Sequence, residues 1–286
     1  MADWSDWIGR SETRQDTLTQ SLRARWCATL DRELPADHTA PQGLHWCLCT
    51  PDAASARLGR DGHPMRDETG AGLLPPLPLE RRMWAAGKLE FLGPLTCDTP
   101  VERRSRVHAI TEKQGASGPL IFIEVAHETL GGGTLSVRET QTLVYRDAPP
   151  PGSPPAPPPR GEGRFDPADW DETRAVIPGS ALLFRYSALT FNSHRIHYDQ
   201  PYATGTEGYR GLVVHGPLIA TLLIDFARRV LDCETALASF EFRAVSPAVA
   251  DEPLHLALRR EGAMLVLGAF ADDGRQVMAA KAEAAQ

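Results

Sequence analysis

Cysteine is scarce and oddly numbered in this sequence: five in 286 residues, with no pair spaced C-x-x-C. Such a set supports neither a disulfide framework nor a zinc ribbon, and points to a reducing compartment, the cytoplasm. Long hydrophobic runs are missing too. No apolar stretch approaches the ~18 residues that a membrane span requires. The opening MADWSDWIGRSETRQD has neither the basic nor the apolar region of a signal peptide. Positive charge is the third shortage. Lys and Arg number 30 against 37 Asp and Glu, a net charge of -7, which argues against nucleic acid or an anionic membrane as partner. An anionic ligand must then be met by a local group of arginines.

Apolar residues make up 42% of the chain and prolines number 24. The first figure is ample for a real core. The second is concentrated in PPPGSPPAPPPR, Pro149 to Arg160, which lacks sheet donors and prefers extended polyproline geometry. It predicts a semi-rigid linker over 148–170, between a first half at 1–147 and a second at 171–286. The halves look alike. LGPLTCDTPV (Leu92 to Val101) and VSPAVADEPL (Val245 to Leu254) share P-x-x-x-D-x-P, and strand-like runs follow each. TLSVRETQTLVYR alternates, with Leu135, Val137, Leu143 and Tyr145 on one face. LHLALRR, MLVLGAF and VMAAKAEA repeat the pattern around Gly262 and Gly274. A duplicated unit accounts for the matching order.

Helices are fewer. Leu18, Leu22, Trp26 and Leu30 fall at four-residue steps, an amphipathic helix. GPLIATLLIDFARRVL is apolar on most sides and so should be buried. Pro217 suits its first turn, and Arg228 and Arg229 suit its end. A buried helix followed by antiparallel strands predicts an α+β fold in which a sheet wraps a central helix, twice.

One segment has no place in an ordinary core. SALTFNSHRIHYDQPYA, Ser187 to Ala203, crowds Asn192, His194, Arg195, His197 and Asp199 among large apolar side chains. A glycine-bearing loop then leads to His215-Gly216 at the start of the buried helix. A helix start exposes unpaired N–H groups and a partial positive charge, and glycine lets a substrate oxygen approach them. A histidine delivered nearby can move a proton. Together they suit chemistry alpha and beta to a carbonyl, or acyl transfer. Other readings compete. A histidine in an apolar wall is often structural, Gly-Pro before a helix is often only a cap, and Arg195 reads equally as a solvated or phosphate-facing side chain. His194 and His197, three apart, form a metal pair if Asp199 or His215 completes it. Pro201 and the flanking aromatics argue against the regular helix that pairing needs, so no metal is expected. Ser193 lacks the G-x-S-x-G setting of a nucleophile.

ALTFNSHRIHYDQPYA followed by GLVVHGPLIATLL resembles the MaoC-like hotdog hydratases and dehydratases of acyl thioesters. More narrowly, with GLHWCLC, LGRDGHP and LPPLPLERRMWAAGKLEF in the first half, the chain is similar to the double-hotdog branch of mesaconyl-C4-CoA (3-methylfumaryl-CoA) hydratase, itaconyl-CoA hydratase and hydroxyacyl-thioester dehydratase type 2. The likeness covers most of the chain outside the termini and the proline segment. It implies two antiparallel sheets, each wrapped around a central helix: a degenerate first half and a catalytic second half. It implies His197 as the catalytic base and the Gly216 N–H as oxyanion donor, with His215 shaping that turn. The general pattern has an aspartate five residues before the histidine, where this chain has Asn192. An amide neither gives nor takes a proton near neutral pH, so Asn192 is expected to orient water, and Asp199 is the nearest carboxylate in sequence. Arg81 and Arg82, beside Trp84, are expected to clamp a substrate carboxylate, with His215 and Arg195 as further substrate contacts. The implied activity is hydration of a short branched dicarboxylic enoyl-CoA, giving citramalyl-CoA. Coenzyme A arrives as part of the substrate, no other cofactor is needed, and a homodimer is expected. The alternatives are a (3R)-hydroxyacyl-thioester dehydratase, a hotdog thioesterase and a silent acyl-binding protein.

Overall fold

The computed structural model describes residues 4–67, 69–115, 118–150, 152–231 and 236–285. Cys233 lies outside them; the other four cysteines are buried free thiols. The first half runs β1 (Ser11–Thr17), α1 (Gln20–Thr29), β2 (Arg81–Phe91), β3 (Pro100–Gly115), β4 (Gly118–Gly131) and β5 (Thr134–Arg146). The second runs β6 (Glu172–Val176), α2 (Ser180–Leu189), α3 (Gln200–Gly205), α4 (Gly216–Val230), β7 (Leu237–Ala244), β8 (Leu254–Glu261), β9 (Met264–Ala271) and β10 (Gln276–Ala284). Both halves have the strand order first, third, fourth, fifth, second.

The shared P-x-x-x-D-x-P has a structural job in each half. Asp98 and Asp251 both take left-handed backbone, φ 60° and 64°, a conformation aspartate tolerates better than most residues. The Asp98 N–H donates to Leu18 O at 2.8 Å, and the Asp251 N–H to Pro178 O at 3.2 Å. Leu18 and Pro178 each lie just past the first strand of their half. The motif therefore ties the turn before the third strand to the exit of the first, twice.

The double-hotdog expectation is met, with two differences of detail. The sheets are not separate: β2 pairs antiparallel with β7, from Ala86↔Arg243 to Glu90↔Ser239, making one ten-stranded sheet. Gly87 is needed at this seam, since a Cβ there would lie 2.4 Å from the Phe242 ring. The central helix is also unequal. In the second half α4 is buried from Leu218 to Ala227. In the first half, the described residues between α1 and β2 form only short 3-10 turns, at Leu44–Cys47 and Ser55–Arg57. The sheet face that a second long helix would cover instead opens onto a cavity.

Charge is buried along α4 at one point. Asp225, 3% exposed, meets Arg32 at 2.8 Å, Arg229 at 2.7 Å and Arg174 at 3.3 Å, joining α1's exit, α4 and β6. The proline segment is docked rather than free. The Ala156 N–H donates to Gly208 O at 2.9 Å, and Phe165 stacks on His255 at 4.8 Å. Among the described residues no helix is long and apolar enough to cross a membrane.

Candidate active site

The cavity measures about 1910 Å³ and is walled by both halves. Asn192, His197 and Gly216 come from the second half, and His63, Arg82 and Trp84 from the first. Gly216 begins α4, with Pro217 in the first turn. Its N–H has no acceptor among the described residues. A Cβ there would meet nothing closer than Trp84 O at 3.8 Å, so the space beside the Gly216 Cα is open.

His197 closes a 3-10 turn, Arg195–His197, and is buried. Its Nδ1 lies 2.7 Å from Val213 O. A carbonyl only accepts, so Nδ1 carries the proton and Nε2 keeps a lone pair. Burial pulls the ring's pKa down to about 4, against a smaller upward pull from Val213. It is therefore a neutral imidazole at neutral pH. His215 is 1% exposed and backs His197 rather than lining the cavity. Its Nε2 meets Ser187 Oγ at 2.8 Å, and burial followed by the His197 charge holds its pKa well below the usual histidine value. Asn192 Oδ1 accepts the His194 N–H at 3.0 Å, which leaves Nδ2 as the group available to a ligand.

A second cluster faces the same cavity. His63 Nδ1 lies 2.9 Å from Asp61 Oδ2, and the His63 ring packs on His194 with centroids 4.0 Å apart. Burial lowers the proton affinity of His63, the Arg82 cation lowers it further, and Asp61 opposes both. Burial would raise Asp61, but its bonds with His63 bring it well below the usual carboxylate range. The donor atoms of Asp61, His63 and His194 lie within 4.8 Å of one another, close enough to suggest a cation site. The direct His63–Asp61 hydrogen bond instead spends two of the three groups on each other.

The expected arginine clamp divides. Arg81 and Arg82 both line the cavity, but their partners differ. Arg81 pairs with Glu207, Nε to Oε2 at 3.1 Å, and donates to Glu207 O at 2.6 Å. Arg82 has no side-chain hydrogen bond or ion pair among the described residues. Two other expected site residues lie off the cavity. Asp199 accepts the Tyr202 N–H at 3.1 Å as the cap of α3 and pairs with Arg195 at 2.7 Å. Arg195 also covers the Tyr202 ring at 4.0 Å and donates to Arg60 O at 2.9 Å. Their sequence neighbourhood suggested chemistry; their geometry is that of a capped helix start.

Sequence reasoning missed Asp61 and His63, quoted only within LGRDGHP. It also missed Glu139, buried on β5, which accepts from Trp46 Nε1 at 3.1 Å and lies 3.5 Å from His45 Nε2. The signal was present: Glu139 and Gln141 interrupt the apolar face that runs Leu135, Val137, Leu143, Tyr145.

Comparison with known proteins agrees with this architecture. The chain is 40% identical to mesaconyl-C(4)-CoA hydratase of Chloroflexus aurantiacus, over 99% of this chain and 98% of the relative. It is 27% identical to the mitochondrial hydroxyacyl-thioester dehydratase type 2 of Schizosaccharomyces pombe, over 82% of each. A MaoC-like dehydratase from Phytophthora capsici superposes with a TM-score of 0.69 at 15% identity, over 99% of both chains, a likeness of fold. The family model of hydroxyacyl-thioester dehydratase type 2 matches residues 43–250. With that match spanning most of a double-hotdog chain, the protein belongs to the hydroxyacyl-thioester dehydratase type 2 family.

Proposed function

We propose that this chain is a hydro-lyase that adds water across the double bond of a short, branched, carboxylated enoyl-CoA, mesaconyl-C4-CoA or itaconyl-CoA. The observation that carries the reading is the state of His197: neutral, its Nδ1–H fixed on Val213 O, and its Nε2 lone pair left for the cavity. In the reaction His197 Nε2 takes a proton from water as its oxygen bonds the β-carbon. The Gly216 N–H receives the charge that develops on the thioester oxygen. Asn192 Nδ2 orients the water. Arg82, uncommitted within the fold, meets the acyl carboxylate, and Trp84 supplies apolar wall. Coenzyme A enters and leaves as part of the thioester.

The high identity to a mesaconyl-C(4)-CoA hydratase supports the carboxylated substrate. The family match supports a second reading, dehydration of uncharged (3R)-hydroxyacyl thioesters. A panel of mesaconyl-C4-CoA, itaconyl-CoA and crotonyl-CoA separates them. Loss of enoyl absorbance with a product one water heavier, fastest for the carboxylated thioesters, is the expected outcome. Preference for crotonyl-CoA favours the second reading, and free thiol without hydration defeats both.

The division of labour is part of this reading: a degenerate half at 1–147, a connector at 148–170 and a catalytic half at 171–286. Because β2 and β7 share a seam, fragment 161–286 alone should be insoluble or inactive. Cytoplasmic residence and a homodimer complete the reading; cell fractionation and light scattering test them.

A further inference from the structure

Hydration needs two proton transfers, one from the water oxygen and one to the α-carbon. His197 supplies the first. Asn192 does not titrate, and Asp199 is spent on a helix cap and Arg195. We propose that His63 is the second proton-transfer residue, with Asp61 as its positioning carboxylate. The inference rests on the hydratase reading above.

Three observations carry it. The Asp61–His63 pair lines the same cavity as His197 and comes from the other half of the chain. The rings connect across the cavity wall: His63 to His194 at 4.0 Å, and His194 to His197 at 5.4 Å. Finally, the loop bearing the pair is fastened to the turn bearing His197. The Arg195 N–H donates to Asp61 O at 2.8 Å, and Ser193 Oγ to Gly62 O at 2.6 Å. Gly62 has φ +86°, and a Cβ on it would fall 1.9 Å from Ser193 O. Only glycine lets these backbones meet so closely. The fold holds an imidazole and carboxylate from one half against the base from the other.

The step balances as follows. Substrate enters with His63 neutral; on binding, His63 takes a proton from solvent, its Nδ1–H donating to ionised Asp61, while His197 stays neutral. One water O–H bond breaks and its proton goes to His197 Nε2 while oxygen bonds the β-carbon. The alkene electron pair moves toward the thioester oxygen. The His63 Nε2–H bond then breaks and its proton goes to the α-carbon, restoring the carbonyl. The resting state returns when the proton on His197 passes to His63, with the His194 ring between them, and from there to solvent. In the empty site burial lowers the proton affinity of His63 most, and Arg82 lowers it further. A substrate carboxylate on Arg82 offsets that cation, so binding itself promotes the protonated form.

The test uses the full chain and mesaconyl-C4-CoA. His63→Ala should lose about 100-fold in kcat, with KM within about threefold, and imidazole in the buffer should restore about tenfold. Asp61→Asn should lose about tenfold. Its pH–kcat profile should fall at lower pH than wild type on the alkaline side, because the amide no longer supports the imidazolium. Arg82, Arg66 and His194 also face His63 and remain in place. Native-like kcat, a loss confined to KM, a loss that imidazole does not restore, or an unmoved alkaline limb overturns the inference. So does wild-type turnover that rises with added zinc and falls with chelator, which would make the trio a metal site. Inactive wild type on all three thioesters removes the hydratase reading; active wild type with native-like His63 and Asp61 variants removes only the inference.

Discussion

The ring of His215 lies against that of His197 with centroids 3.6 Å apart and planes 20° from parallel. Two imidazoles stacked so closely in a buried site do not both carry charge, because desolvation and mutual repulsion oppose it. Burial keeps His197 a base, and the charge repulsion across the stack falls on His215. Burial also makes the fold sensitive to acid. His197 is held to about 4 in the folded state against an ordinary 6.5, and His215, His194 and His63 are lowered too. An unfolded chain takes up those protons first as pH falls. Stability is thus fully present above about pH 6.5 and drains away as pH drops toward 4. His197 alone accounts for about 3 kcal/mol of that loss. Melting temperature measured from pH 8 to 4.5 should fall steeply below 6.5, and His197→Gln should flatten the slope. Equal slopes in the two proteins would show that the imidazole is not the titrating group.

His197 and Asn192 should differ in kind. His197→Ala should cut turnover by about 100-fold or more with the fold retained. Asn192→Ala should cost less, since the amide moves no proton, and Asn192→Asp should keep part of the rate because a carboxylate oxygen can still accept the His194 N–H. Steady-state kinetics with melting curves decides the order. An Asn192→Ala protein as inactive as His197→Ala would reverse these roles.

Much of this was legible in the sequence because it is local. The periodicity of GPLIATLLIDFARRVL marked α4, alternation marked β5, and the shared P-x-x-x-D-x-P marked the duplication, its two aspartates both left-handed. What escaped is long-range. A duplicated chain suggests a duplicated helix, yet the region before β2 folds into short turns around buried Leu44, His45 and Trp46. Of the expected Arg81–Arg82 clamp, Arg81 is paired with Glu207, 126 residues away in sequence. Asp61 and His63 sit in an ordinary-looking turn. Nothing local records that residues 193–195 close over it.

Gly62 is the point where that closure is most exposed to change. Gly62→Ala brings a Cβ to 1.9 Å from Ser193 O at a φ of +86°. Both effects disfavour the native backbone, at a cost of about 2 kcal/mol or more. The variant should lower melting temperature and turnover together, while Gly205→Ala, where a Cβ meets nothing within 4 Å, should do neither. A Gly62→Ala protein with native kinetics would mean that the loop is not held against the His197 turn.

The two arginines of β2 offer the sharpest test of substrate class. Arg82 faces the cavity beside His63 and makes no internal pair among the described residues, whereas Arg81 is bound to Glu207 at 3.1 Å. A charge-assisted contact from Arg82 to an acyl carboxylate should be worth about 2 kcal/mol in transition-state binding, roughly 30-fold. Arg82→Ala should therefore lower kcat/KM for mesaconyl-C4-CoA by that factor and spare crotonyl-CoA, which has no carboxylate. Arg81→Ala should act differently. It leaves Glu207 with only the Tyr202 hydroxyl at 3.1 Å and removes a hydrogen bond to the backbone of the α3–α4 loop, so melting temperature should fall and both substrates should suffer alike. If Arg82→Ala leaves the ratio of the two substrates unchanged, the carboxylate is met elsewhere, and a wild-type preference for crotonyl-CoA would turn the assignment toward uncharged acyl thioesters.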